Sequence, residues 1–152
     1  MQKMQKIRGF ERVSAFSEND VQLPLRATAH SAGYDIAAAE DIEFQPGEIK
    51  AVPTGLKAYM QADEVLYLYD RSSNPTKRGL VLANSVGVID SDYYNNAGNE
   101  GQLFVQLMNI TDKPVSVAKG DRIAQAVFAP FLVADDDAAE GLRTGGFGST
   151  GD

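Results

Sequence analysis

The C-terminal residues of this chain combine a cation, closely spaced glycines, an aromatic ring and two terminal hydroxyls. They read Arg143-Thr144-Gly145-Gly146-Phe147-Gly148-Ser149-Thr150-Gly151. Closely spaced glycines let backbone N–H groups approach a phosphate, Ser and Thr add hydroxyl donors, and Arg143 adds positive charge. Phe147 offers a flat face to a base. Composition alone is typical of a flexible tail, so a binding role requires a ligand around which the segment can order.

Two internal segments place polar groups beside Gly or Ser at the edges of predicted elements. Asp35 follows Gly33-Tyr34 and offers a carboxylate beside an aromatic ring; the alternative is a turn Asp that bonds its own backbone. Arg71-Ser72-Ser73 stands at a strand-to-helix junction. Helix N–H groups, two hydroxyls and a guanidinium make this junction an anion-site candidate. A plain N-cap with a solvated Arg is the alternative.

Two further segments carry polar residues at the end of a strand or within one. Asp90 and Asp92 follow an apolar strand and stand next to Tyr93-Tyr94. The two carboxylates share strand parity, which predicts that they face one site. Gln125 lies inside an otherwise apolar strand, so its amide requires a partner, either structural or ligand.

Charge and composition limit the chemistry open to these residues. The chain has 152 residues, a formal charge of −7, no Cys and one His. The acidic balance argues against a nucleic-acid groove. The lack of Cys excludes thiolate nucleophiles and Cys-based zinc sites, and a single His argues against a Ser-His-Asp triad or a multi-His metal site. A polyphosphate ligand requires local Arg or Lys, backbone N–H groups and a divalent cation. Mg²⁺ with carboxylate chemistry is therefore expected.

Apolar runs of membrane-spanning length and a hydrophobic N-terminal signal are both lacking in the sequence. We therefore expect a soluble, cytoplasmic protein that does not insert into a membrane.

Short strands dominate the predicted elements. Residues 102–109 alternate, with Leu103, Val105 and Leu107 on one face. Further strands are predicted at residues 65–69, 81–83, 86–89 and 123–132, and the only predicted helix spans residues 72–78. This pattern predicts an all-β barrel or sandwich. We divide the chain into a β-barrel domain at residues 1–134 and an acidic linker with a flexible Gly-rich arm at 135–152.

Taken together and in order, five segments resemble the five motifs of the trimeric dUTPase family. They are Ala32-Gly33-Tyr34-Asp35, Arg71-Ser72-Ser73, Gly87-Val88-Ile89-Asp90-Ser91-Asp92-Tyr93, Gly120-Asp121-Arg122-Ile123-Ala124-Gln125 and Gly145-Gly146-Phe147-Gly148-Ser149-Thr150-Gly151. The resemblance implies a distorted jelly-roll or β-clip barrel that forms a homotrimer with active sites at subunit interfaces. The C-terminal arm would close over the ligand. It also implies Mg²⁺-dependent cleavage of dUTP to dUMP and pyrophosphate, which lowers dUTP and supplies dUMP for thymidylate synthesis.

The resemblance further implies catalytic roles for Asp90, Ser72 and Gln125. Asp90 would orient or activate the water that attacks the α-phosphorus and would contact the sugar 3′-hydroxyl. Arg71, Ser72 and Ser73 would hold the triphosphate, with Gln125 contacting it from a neighbouring strand. Asp35 would support Mg²⁺ through its waters, with the metal held mainly by the triphosphate.

Substrate selection is assigned by the same resemblance. Tyr93 would pack against the deoxyribose and exclude a 2′-hydroxyl, and Phe147 would stack on uracil. The remaining implied contacts come from the uracil pocket at Asn84, Val88, Ile89 and Phe104 and from the phosphate clamp at Arg143, Gly148, Ser149 and Thr150. The segment between Tyr93 and Phe104 is longer than the short turn usual in the family.

Two alternatives remain beside this prediction. A dCTP deaminase has a similar fold and Arg-Ser-Ser motif, but it requires a catalytic Glu where this chain has Gln106, and an amide cannot act as a general base. A nucleotide-dependent regulatory binding protein is the second, as an additional activity. Residues 94–101 would then supply the extra surface.

Overall fold

Antiparallel strands form most of the regular structure in residues 5–143 and residue 145, which the computed structural model describes. In chain order they are β1 (Gly9–Arg12), β2 (Tyr34–Ala37), β3 (Ile42–Phe44), β4 (Ile49–Pro53), β5 (Leu56–Tyr59), β6 (Glu64–Tyr69), β7 (Leu80–Leu82), β8 (Gly87–Asp90), β9 (Phe104–Asn109), β10 (Val115–Val117) and β11 (Arg122–Pro130). The predicted all-β class is confirmed. Strands β1 to β5 and β10 were not predicted individually, because short strands between turns carry little periodic signal.

Four antiparallel sheets share these strands. The largest has the order β2-β11-β6-β8, a three-stranded sheet has the order β4-β9-β7, and β1 pairs with β5 and β10 with β3. In the largest sheet, Gln125 on β11 lies opposite both Asp35 on β2 and Tyr69 on β6. On the other edge of β6, Asp90 of β8 lies opposite Val65. This register decides where the candidate site residues lie.

A single hydrophobic core fills the space between the sheets. Leu103, Val105 and Leu107 are fully buried, and the alternate residues on β9 are only partly buried. This is the alternation predicted for residues 102–109, although the strand itself begins at Phe104. Burying each such side chain contributes about 1.5–3 kcal/mol, so the core holds the strand ends that carry the site.

The predicted helix is present but begins two residues later than expected. It is a π-helical turn at Asn74–Arg78 with Ser73 at the N-cap, and Gly79 ends it in the left-handed conformation at φ 69°. Ser73 makes no side-chain cap bond. The start is displaced because the carboxylate of Asp70 accepts hydrogen bonds from the Arg71 N–H and the Asn74 amide, which hold residues 70–73 in a turn.

A second short helix was not predicted. It is a 3₁₀ helix at Ser91–Tyr93 that follows directly on β8. A single turn of this kind is too short to produce a helical period in the sequence. The sequence predicted only one short helix, so that prediction was incomplete. The second helix lies in the motif that contains Asp92 and Tyr93.

Beyond β11 the described residues form neither helix nor strand. The division of the chain at residue 134 stays a prediction. No helix in the described part of the chain is long and apolar enough to cross a membrane.

Candidate active site

Five of the predicted site residues gather where β2, β11 and β6 meet. We call them the Arg71 cluster: Asp35, Arg71, Ser72, Ser73 and Gln125. The sheet register sets Asp35, Gln125 and Tyr69 side by side, and Arg71 follows two residues after Tyr69. Three motifs that are far apart in the sequence therefore meet at one end of the largest sheet.

The side chain of Gln125 links these motifs. Its Nε2 donates to the carbonyl oxygen of Asp70 over 3.1 Å. A Cβ added at Gly33 would overlap Gln125 Oε1, so a larger residue there would push the amide out of its present position. The sequence predicted that Gln125 requires a partner, and the structure provides a backbone partner for its nitrogen.

A partly buried network beneath the cluster holds the Arg71-Ser72-Ser73 turn. Asp70 Oδ1 accepts from the Arg71 N–H at 3.0 Å and from Asn74 Nδ2 at 2.6 Å, and Oδ2 accepts from the Leu82 N–H at 3.0 Å. Asn74 is fully buried and also donates to the Ile123 carbonyl at 2.8 Å. A carboxylate and an amide thus tie the turn to β7 and β11. Sequence reasoning assigned no role to either residue, although both flank the quoted Arg-Ser-Ser motif.

The electrostatics of the Arg71 cluster suit an anion. The Asp35 carboxylate lies 3.6 Å from Arg71 Nε and 3.4 Å from Arg122 Nη1. Two cations therefore share one carboxylate, which leaves positive charge for a ligand. Ser72 is exposed, and the Ser73 hydroxyl makes no cap bond that a ligand would have to displace.

A second group lies where β8 ends, and we call it the Asp90 cluster: Asp90, Asp92, Tyr93 and Arg143. Arg143 forms an ion pair with Asp90 and donates from Nε to Asp92 Oδ1 at 2.8 Å. Its guanidinium carbon lies 5.9 Å from the centroid of the Tyr93 ring. The hydrogen bond to Asp92 raises the pKa of Arg143, and burial of the guanidinium opposes this rise.

Asp90 and Asp92 do face one place, but strand parity is not the reason. Asp90 ends β8, and Asp92 lies in the 3₁₀ helix that follows. The turn of that helix brings both carboxylates to the same guanidinium of Arg143. The two carboxylates therefore face one place for a different geometric reason than the predicted one, and its being a substrate site stays a prediction.

The two clusters lie at opposite ends of strand β6. The Asp90 cluster adjoins Val65, and the Arg71 cluster adjoins Tyr69. Four residues of extended strand separate these positions by about 13 Å at roughly 3.3 Å per residue. The described part of one chain therefore does not bring Asp90 next to Arg71.

The residues predicted to contact the uracil ring lie in the turn between β7 and β8, on β8 and at the start of β9. Asn84 is exposed in the turn between β7 and β8, and Val88 is 58% exposed on the outward face of β8. The Ile89 side chain belongs to the core, so only its backbone is placed to meet a ligand. Phe104 begins β9 opposite Pro53.

Four of the predicted arm residues lie outside the described part of the chain: Phe147, Gly148, Ser149 and Thr150. Their assigned contacts stay predictions.

Comparisons with known proteins agree over nearly the whole chain. A family model described as dUTPase matches residues 19–151. The deoxyuridine 5′-triphosphate nucleotidohydrolase of Lactococcus lactis is 64% identical over 148 residues, which cover 96% of this chain and 99% of the relative. The enzyme of the same name from Actinobacillus succinogenes is 44% identical over 137 residues, which cover 85% and 87% of the two chains.

A solved structure supports the same relationship. The crystal structure of dUTPase from Streptococcus mutans superposes with a TM-score of 0.81 at 57% identity, covering 84% of this chain and 98% of that one. The predicted fold is confirmed by this likeness. Since the family model and the relatives span most of the sequence and include the motifs of both clusters, this chain belongs to the dUTPase family.

Proposed function

We propose that this chain hydrolyses dUTP to dUMP and pyrophosphate at sites formed where the Arg71 cluster of one copy meets the Asp90 cluster of another. One observation carries the proposal: the family motifs fall into two half-sites at opposite ends of β6. Phosphoryl transfer depends chiefly on positioning and on charge neutralisation. One half-site has Arg71 and two serine hydroxyls for this task, and the other has the carboxylate proposed as the general base.

The Arg71 cluster would hold the triphosphate. Arg71 is tied to the Arg122 carbonyl through Nη1 at 3.1 Å and to Asp35 through Nε, so its guanidinium is oriented before a ligand arrives. Ser72 and Ser73 add hydroxyl donors. Gln125 reaches the same region and is held by the Asp70 backbone. Groups oriented in advance stabilise developing charge without reorganisation during the reaction.

The Asp90 cluster would supply the general base of the reaction and would distinguish deoxyribose from ribose. Asp90 would take the proton of the attacking water, which then forms the bond to the α-phosphorus as pyrophosphate leaves. Tyr93 is only 3% exposed, and Arg143 lies beside its ring, so the ring would pack on the deoxyribose only after Arg143 moves. Arg143 forms an ion pair with Asp90 in this structure. As the substrate binds, Arg143 would leave Asp90 and pair with the outer phosphates instead. Phe147 would stack on uracil, which Asn84, Val88, Ile89 and Phe104 would border.

Mg²⁺ fits the donor set as an ion carried by the substrate. No group of three or more metal-ligating side chains occurs among the described residues, and the one candidate carboxylate, Asp35, is shared by two arginines. Mg²⁺ commonly binds through phosphates and waters with few protein ligands. Asp35 would contact its waters, and the metal would neutralise phosphate charge.

We propose a homotrimer as the assembly that completes these sites. A contact that joins two different patches of the same chain closes into a ring when each copy meets the next. The two separate clusters of this chain are two such patches, and the number three rests on the family resemblance.

Mixing two inactive variants tests whether the sites are shared. We expect Asp90→Asn and Arg71→Gln each to lose most activity. After the two are unfolded together in equal amounts and refolded, about a quarter of the sites should combine an intact Asp90 with an intact Arg71 from another copy. Turnover should recover to about that fraction of wild type. Each variant refolded alone is the control, and no recovery in the mixture would reject shared sites.

The reaction itself is tested by product analysis. With Mg²⁺ and dUTP, UTP, dTTP or dCTP supplied separately, we expect dUMP and pyrophosphate from dUTP alone. Ion-exchange chromatography separates the products. Deamination of dCTP would contradict the proposal and the argument from Gln106, which has only an amide side chain where a base is required.

A nucleotide-dependent regulatory partner stays a prediction. Residues 94–101 contact β1 and β5, and Asn95, Ala97 and Gly98 stay exposed. Lys57 Nζ lies 2.6 Å from Asn95 Oδ1 and 3.5 Å from Glu100 Oε2, and the Tyr94 hydroxyl bonds Glu11. These contacts anchor the loop to the barrel.

A further inference from the structure

The hydroxyl of Tyr93 is held by two partners in the described chain. It donates to the carbonyl oxygen of Gln102 at 2.6 Å and accepts from Asn99 Nδ2 at 3.1 Å. Tyr93 is only 3% exposed, and burial raises its pKa to about 12. The phenol therefore stays neutral and remains a donor at every working pH. One donated and one accepted hydrogen bond therefore fix the hydroxyl end of the ring.

Asn99 is itself fixed by the loop that it closes. Its Oδ1 accepts from the Gly101 N–H at 2.9 Å and from Asn96 Nδ2 at 3.2 Å. Gly101 has φ +78°, and a Cβ there would overlap the Tyr93 carbonyl oxygen. The loop backbone also closes on Tyr93 directly, because the Asn96 N–H donates to that same carbonyl at 3.0 Å. A tight turn thus presents one amide nitrogen to one tyrosine hydroxyl.

From this geometry we infer that Asn99 is a positioning residue for sugar selection, acting through the hydroxyl of Tyr93. The inference rests on the proposed function, in which the Tyr93 ring packs on the deoxyribose. An aromatic ring rejects a 2′-hydroxyl only when it cannot move aside, because the difference between the sugars is a single oxygen. Sites that discriminate at this scale depend on supporting residues that lock the contacting side chain. The long 94–101 loop would provide that lock.

The alternative is that Asn99 only stabilises its own loop. The two roles differ in what they affect. A structural role changes stability and the activity toward both nucleotides together. A positioning role changes the ratio of kcat/KM for dUTP to that for UTP, since a loosened ring admits the ribonucleotide without harming the natural substrate.

The test measures this ratio in Asn99→Ala, in Tyr93→Phe and in the double variant. We expect Asn99→Ala to lower the ratio about tenfold, mainly through a higher kcat/KM for UTP, a size typical of discrimination by one small group. Tyr93→Phe removes the same hydrogen bond from the other side. Adding Asn99→Ala to Tyr93→Phe should therefore lower the ratio no further, because the two residues act as one unit.

Lys57→Met is the matched control. Lys57 contacts the same loop through Asn95 and Glu100, whereas the Tyr93 hydroxyl bonds Gln102 and Asn99, so this variant should loosen the loop and leave the ratio unchanged. An unchanged ratio in Asn99→Ala, or fully additive losses in the double variant, would overturn the inference. Failure of the wild-type protein to hydrolyse dUTP in the same assay would instead reject the proposed function.

Discussion

Asp90→Asn should reduce turnover of dUTP by about 10³-fold, the usual size of a lost general base. The side chain of Asp90 is about half exposed at the end of β8 and is not in the core, so the substitution should not disturb folding. An amide of the same shape keeps hydrogen bonding but cannot accept the proton of the attacking water. Binding of a non-hydrolysable dUTP analogue with an α,β-imido bridge should stay within about threefold of wild type, because a base acts mainly in the transition state.

The variant Asp92→Asn separates the loss of the proposed general base from the loss of an ion pair with Arg143. Asp92 pairs with the same guanidinium of Arg143 as Asp90 does, so both variants weaken the hold on Arg143, and only one removes the proposed base. Steady-state kinetics should show a much smaller loss for Asp92→Asn. Equal losses in the two variants, or near-normal turnover of Asp90→Asn, would contradict the role assigned to Asp90.

Removal of residues 143–152 should lower kcat by about 10²-fold or more, because it deletes a cation and a phosphate-binding arm that would act in the transition state. The barrel should remain folded. The deleted ion pairs join the largely buried guanidinium of Arg143 to carboxylates that are more than half exposed. Because water screens the carboxylate side, each pair should contribute about 1 kcal/mol, the upper end for exposed pairs. We therefore expect thermal unfolding to shift by only a few degrees.

A shorter truncation divides the effect between Arg143 and the residues that follow. Removing residues 146–152 keeps Arg143 and its contacts with Asp90 and Asp92. If Arg143 clamps the outer phosphates, the variant that lacks residues 143–152 should have a lower kcat than the variant that lacks residues 146–152. It should also bind pyrophosphate more weakly. Unchanged kinetics in both truncations would remove the arm from the mechanism.

Periodicity and turn residues predicted the larger strands of this protein well. The alternation around Leu103, Val105 and Leu107 became the buried face of β9. Gly79 ended the predicted helix because its left-handed conformation terminates a helical turn. The start of that helix was placed two residues early, since the carboxylate of Asp70 competes for the backbone N–H of Arg71. Competition of this kind depends on a side-chain orientation that the sequence does not reveal.

In the candidate site too, some residues could be found from the sequence and others depend on the folded structure. Residue types, their order and the resemblance to the dUTPase motifs pointed to Asp35, Arg71, Asp90 and Gln125, and the roles assigned to them stay predictions. Asp70 and Asn99 received no role because their importance lies in hydrogen bonds, which Asp70 accepts from Arg71, Asn74 and Leu82 and which Asn99 donates to Tyr93. Those contacts exist only after two separate turns have folded.

The sequence by itself therefore determined the all-β class, the family and the chemical groups available for dUTP hydrolysis, because these depend on local patterns and on residue identity. Only the tertiary structure decided how those groups are divided. The antiparallel register of β8, β6 and β11 sets Asp90 opposite Val65 and Gln125 opposite Tyr69. A strand is stiff and rises by a constant length per residue, so this register keeps the two clusters apart in one chain, and the proposed function therefore requires a second copy to bring them together.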